Sequence, residues 1–147
     1  MEVTGEQLLP PDFRDYTRAT PLSRFIARFI DRILAFLLGA AVGYTLSLFG
    51  ETAGVVAGVI TGFSYYFLKD AFPFLNGQSL GKKLLSIKVA DANEGTGIEG
   101  NYGKALAREI TTIIPLISLI DALMIFSNNQ RLGDTIAHTI VVNMPAQ

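Results

Sequence analysis

The chain has no cysteine, no tryptophan and a single histidine, and charged residues make up only 17% of its 147 positions. Without cysteine there is no disulfide framework, no zinc–thiolate site and no thiol nucleophile. The lone His138, with no second histidine or thiol beside it, argues against a transition-metal centre. No nucleophile–base pairing is legible either, so the chain reads as a non-enzyme needing no cofactor or metal. The charged fraction falls below the roughly 25% usual in soluble domains. With a formal net charge of -1 there is no global basic field to recruit nucleic acid.

What fills the composition is apolar. Half of the residues are hydrophobic and the mean hydropathy is +0.38, which points to a membrane protein of one domain. The opening "MEVTGEQLLPPDFRDYTRATP" has no basic segment followed by an apolar core, so it does not read as a cleavable signal. Residues 1–20 are expected to form an extended cytoplasmic tail, and residues 21–143 the membrane domain.

Three membrane segments are expected, at about 25–49, 52–68 and 105–126. The first helix should start at Thr20-Pro21, with threonine as cap and proline in the first turn. In the second segment Gly54, Gly58 and Gly62 recur every four residues, and Gly39 and Gly43 make a matching notch in the first. Such rows let helix backbones approach closely, either within one hairpin or across a dimer. The third segment is interrupted by Arg108-Glu109, Pro115 and Asp121, and either spans with a kink or enters and returns. Lysines of the 69–104 loop and arginines before the first span put both on the cytoplasmic side. Within that loop "GQSLGKKLLSI" reads as a surface amphipathic helix whose Lys82 and Lys83 suit anionic headgroups, followed by a strand-like "IKVAD". A second strand-like stretch, "TIVV", lies near the C-terminal end.

The candidate chemistry is carried by charges inside apolar runs. Arg24, Arg28, Asp31 and Arg32 fall at i, i+4, i+7 and i+8, one stripe of the first helix. Asp31 reads either as the centre of an ion or proton relay or as part of a buried ion-pair cluster with Arg28 and Arg32. Asp121 has no basic residue within one turn, so it is either a site of protonation or a wet residue at a membrane face. "GQSLGKK" is one residue short of a phosphate loop and lacks the following Ser/Thr, and "DANEGTG" places Tyr102 where a calcium loop needs glutamate. Both are set aside.

"RFIARFIDRIL", "NGQSLGKKLLSIKVAD" and "QRLGDTIAHTIVV", in this order, resemble the RDD family of bacterial membrane proteins over about residues 22–143. By position the family arginine falls on Arg24, its first aspartate on Asp31 and its second on Asp134. The chain departs from the pattern at His138, where a glycine is expected before Thr139. The resemblance implies a multi-pass protein of the bacterial cytoplasmic membrane, without cofactor, in a family suspected of ion or proton transport. It also implies that Arg24 and Asp134 share a cluster, which puts "RLGDTIAHTIVV" on the cytoplasmic side. "IKVAD" and "HTIVVN" are then free to pair as strands.

The expected fold is an all-α membrane protein. It has a two-helix transmembrane hairpin, a third Pro-interrupted segment that re-enters or spans, short cytoplasmic amphipathic helices and a possible two-stranded β element. Asp31 and Asp121 are the candidate ion- or proton-binding residues, with Arg28, Arg32 and Arg108 as supporting charges. So small a domain encloses no lined pathway, so the expected partners are the lipid bilayer and either further copies of the chain or other membrane subunits. An accessory, scaffolding role in a larger complex is the alternative.

Overall fold

In the computed structural model, which describes residues 12–113, 115–128 and 131–145, the first helix starts where threonine and proline predict. The Thr20 hydroxyl accepts the Ser23 N–H at 3.2 Å, and α1 runs from Pro21 to Ser47. A short turn at Gly50 leads into α2, Glu51–Leu68, which returns antiparallel along α1. The glycine rows face each other inside this hairpin. A Cβ on Gly58 would lie 2.6 Å from the Gly39 carbonyl oxygen, and one on Gly39 would lie 2.7 Å from that of Gly58. No side chain fits between the two backbones there.

The hairpin is apolar outward, with Phe36 and Tyr44 on α1 and Val55 and Phe63 on α2 among its exposed residues. Taken singly, no helix among the described residues is long and apolar enough to cross a membrane. The physical reason lies in the ends and the seam. The first turns of α1 spend their length on Arg24, Arg28, Asp31 and Arg32, and α2 spends three positions on glycine and one on Glu51.

The third apolar stretch is two helices: α4, Tyr102–Ile110, continues as a 3-10 turn over Thr111–Ile113, and α5 runs from Pro115 to Asn128. The chain bends sharply between them. Asp121 in mid-α5 accepts a hydrogen bond from the Thr111 hydroxyl at 2.9 Å, whereas a straight helix would hold these positions about 15 Å apart along its axis.

Two short helix–strand units complete the fold. In the first, α3 (Leu80–Leu84) leads into β1 (Ile87–Asp91); in the second, α6 (Leu132–Ile136) leads into β2 (Thr139–Asn143). The expected two-stranded element therefore forms, antiparallel, with Val89 opposite Val141, Ile87 opposite Asn143 and Asp91 opposite Thr139.

The units are copies of one plan, "SLGKKLLSIKVAD" and "RLGDTIAHTIVVN". Each has Leu-Gly opening the short helix, one residue in the left-handed region before the strand (Ser86 at φ 50°, His138 at φ 51°), then five strand residues. Val89 and Val141 hold equivalent places, so an approximate twofold axis between them exchanges the copies. The match extends to the helices beneath. Gly81 packs against the Ala27 carbonyl of α1, and Gly133 packs against the Arg108 carbonyl of α4. The doubled unit is thus a helix, the Leu-Gly helix packed on it, and a strand.

The apolar core lies around the sheet and is built from small side chains, with Ala19, Ala27, Ala71 and Ala105 packed against Ile87, Val89, Ile98 and Val141. Residues 12–20 of the expected tail belong to it. Ala19 N–H donates to the Val141 carbonyl at 2.9 Å and Asn143 N–H to Thr17 at 2.8 Å, covering the free edge of β2. Residues 1–11 lie outside the described residues.

Two substitutions test this account. Gly58→Val should destabilise the folded chain by about 1–3 kcal/mol through overpacking, while Gly103→Ala, where a Cβ meets only Asn101 Oδ1 at 3.7 Å, should not. Thermal unfolding in detergent reads both. His138→Gly removes a left-handed cost of roughly 1–2 kcal/mol but frees the unfolded chain, so a net gain of up to about 1 kcal/mol is expected in the same assay.

Candidate functional site

The charges converge where the two copies meet. Asp134 sits in the first turn of α6 and is fully buried. Its Oδ1 accepts from Arg108 Nε at 2.9 Å, Arg108 Nη2 at 2.8 Å and Arg131 Nε at 3.2 Å, and its Oδ2 accepts from Arg24 of α1. One carboxylate thus serves three guanidiniums from three places in the chain. Arg24 and Asp134, joined in expectation by the family pattern, are bonded to each other.

The network extends from there. Arg108 also donates to Asp70 Oδ2 at 2.8 Å, and the same oxygen accepts from Lys82 Nζ. Arg131 forks onto Glu109, donating at 2.7 Å and 3.3 Å, with Lys69 Nζ at 3.5 Å from the same carboxylate. All of these side chains are buried. Burial by itself would raise the carboxyl pKa of Asp134, but Arg108, Arg131 and Arg24 outweigh it and hold the group well below the ordinary aspartate range. Lys82, Arg108 and Lys69 do the same for Asp70. Both remain ionised at neutral pH.

Asp31 stands apart from this network. It is fully buried, accepts from the Ser79 hydroxyl at 2.5 Å and from Gly81 N–H at 2.8 Å, and makes no ion pair among the described residues. The expected cluster of Asp31 with Arg28 and Arg32 is corrected by the helix geometry. Arg32 points outward and stacks over the Tyr66 ring at 5.9 Å, while Arg28, half-buried, faces a small cavity. Asp31 spends its oxygens on the start of α3 instead.

Asp121 plays the corresponding part in the second copy. It is buried and accepts from Leu132 N–H at 2.9 Å as well as from Thr111, so it is neither wet nor unpartnered. Each Leu-Gly helix is therefore held at its N-terminus by an aspartate from the preceding long helices.

Lys82 is a second correction. It is buried and turned toward Asp70, because the Gly81 contact presses α3 against α1 and carries Lys82 inward; only Lys83 stays exposed. Residues that sequence reading does not single out are Lys69, Asp70, Glu109 and Arg131. The available signals were a Lys-Asp pair closing an apolar run and an arginine three residues before Asp134.

Around Asp70, Glu109 and Asp134 the geometry is one of buried ion pairing. Among the described residues no group of three or more His, Cys, Asp or Glu side chains is placed to hold a metal ion. The family model described as RDD family matches residues 18–138. No curated protein and no solved structure matches the chain.

The network predicts acid lability with a definite sign. Asp70 and Asp134 have folded pKa values below that of the unfolded chain, about 3.9, so the unfolded state takes up protons first as pH falls. Their stabilisation is complete above about pH 5 and is lost as pH drops through the unfolded value toward the folded ones. Asp134→Asn, which leaves three guanidiniums without their shared carboxylate, should cost about 3–5 kcal/mol and flatten that acid limb in unfolding measured against pH.

Proposed function

We propose, starting from the fact that the chain belongs to the RDD family, that it is a membrane-embedded, non-enzymatic protein that handles ions as part of an oligomer or with other membrane subunits. The hairpin is the inserted part. Neither helix is apolar enough alone, but the glycine seam joins them into one body that exposes large apolar side chains along both helices. The charged chamber then lies at the cytoplasmic end of the hairpin, with the N-terminus, the sheet and the C-terminal strand on that side. The bend before Pro115 favours a re-entrant third segment, returning α6 to the side from which α4 set out. Exposed Leu84 and Lys83 of α3 rest at the headgroups, and the setting is the bacterial cytoplasmic membrane.

The observation that carries the ion-handling reading is Asp31: a buried carboxylate on the chamber wall, held by two neutral donors and by no cation within ion-pair distance among the described residues. A carboxylate so held can exchange a proton without breaking the arginine network beside it. Asp31→Asn should abolish pH-dependent ion flux in proteoliposomes while folded yield is kept, since the asparagine oxygen still accepts from the α3 amide. Unchanged flux would remove Asp31 from any transport step.

A second reading, an accessory or scaffolding subunit, draws on the seam itself. The closed seam between α1 and α2 provides no passage within one chain. A groove of about 910 Å³ runs along the hairpin beside it, from Arg32 and Tyr66 to Glu51. Mass spectrometry of the gently solubilised native assembly distinguishes the two: an obligatory partner of another kind, together with no flux from the isolated chain, selects the scaffold.

A further inference from the structure

The chamber does not balance its own charge. Six cations converge on it: Arg24, Arg28, Lys69, Lys82, Arg108 and Arg131. Among the described residues four carboxylates accompany them, and three of these (Asp70, Glu109, Asp134) carry the ion pairs. The fourth, Asp31, has both oxygens occupied by Ser79 and Gly81. Asp121 is turned to Thr111 and Leu132. Arg28 is left over, since it makes no hydrogen bond or ion pair among the described residues. Counted over the described residues, with every group in its ordinary charge state, the chamber carries two positive charges in excess. Uncompensated charge away from water is costly, so a chamber of this kind calls for an anion.

There is a place for one. A cavity of about 20 Å³ lies among these side chains, lined by Arg24, Arg28, Lys69, Lys82, Arg108 and Arg131 together with Asp31, Glu109 and Val141. The first copy of the doubled unit supplies α1, Lys69 and Lys82, and the second supplies α4, Arg131 and β2, so the cavity sits between the copies. Its size admits one water-sized particle. That is too small for a phosphate or a lipid headgroup, and six lining cations exclude a metal cation. Arg28 is the one lining cation that keeps partial exposure, the others being buried, so it stands at the entrance.

We infer that this cavity is a binding site for a small monovalent anion of chloride size, with Arg28 as its principal ligand. The ion offsets one of the two excess charges, the one carried by Arg28 at the junction of the two copies. Binding is a property of the folded chain and does not depend on the transport reading.

The test uses the purified full chain in detergent, unfolded thermally while sodium chloride replaces sodium gluconate at constant ionic strength. Expected is a saturable rise in unfolding temperature with chloride, reproduced by bromide. In Arg28→Gln the midpoint should move at least about tenfold higher, while Arg28→Lys retains the response. Crystals soaked in bromide should show an anomalous peak between Arg28 and Lys82, a measurement on the unaltered chain that stands even if the glutamine variant fails to fold. Equal responses to chloride and gluconate, a wild-type response in Arg28→Gln, or bromide bound only outside the cavity would each overturn the assignment. Because the readout is binding, a chain that binds chloride yet carries no flux leaves this site standing and removes only the transport reading.

Discussion

The fold depends on one carboxylate, Asp134, and on the three guanidiniums that share it. Arg24 comes from the first long helix, Arg108 from the helix before the bend, and Arg131 from the approach to α6. These segments are far apart in sequence and belong to different copies of the doubled unit. A carboxylate has about four lone-pair sites, and Asp134 receives donors from three arginines at once, so each constrains the position of the others. Docking of the second copy on the first therefore pairs buried charges as well as packing apolar surface.

The apolar core explains why such a device is needed. Alanines make up much of it, and the hairpin meets along glycines. Small side chains let backbones approach closely, but they interdigitate little, so a sliding or rotated packing would lose few contacts. Charged side chains do not share that tolerance. A buried ion pair adds little net stability over an apolar replacement, yet a displaced one leaves an uncompensated charge and costs several kcal/mol. In this chain the glycines bring the elements close, and the arginine–carboxylate network selects one register among the close packings.

Much of this was legible from residue types alone. The start of α1 at Thr20-Pro21, the glycine rows, the break at Pro115 and the two strand-like stretches follow from local rules of capping, spacing and alternation, and the structure contains each of them; that the strands pair followed from the family resemblance. The union of Arg24 with Asp134 came from the family resemblance, since nothing local links them. What local rules could not give was direction. On the Arg24–Arg32 stripe, spacing suggests that Asp31 pairs with its neighbours along the helix. The glycine contact of α3 instead delivers backbone and hydroxyl donors to Asp31 from elsewhere in the chain. Lys82 was misread for the same reason: an amphipathic pattern shows which residues oppose each other, not which side is covered. The repeat is faint in the sequence because only the Leu-Gly pair and the strand pattern survive in it, while Lys82 and Asp134 occupy equivalent places with opposite charge.

That inversion of charge bears on what the doubling achieves. A perfectly symmetric pair would place like charges across the axis, lysine near lysine or aspartate near aspartate, and the two halves would repel. With Lys82 in one copy and Asp134 in the other, and with Arg28 of α1 set against Glu109 of α4 about the same Leu-Gly contact, the halves become complementary. Complementarity of this kind is only approximate, because Arg24 and Arg108 add positive charge that the carboxylates of the second copy do not fully match. The excess collects where the copies meet, around the cavity lined by Arg28, which makes no ion pair among the described residues. A symmetric scaffold made asymmetric by charge thus produces a buried polar space with a defined sign.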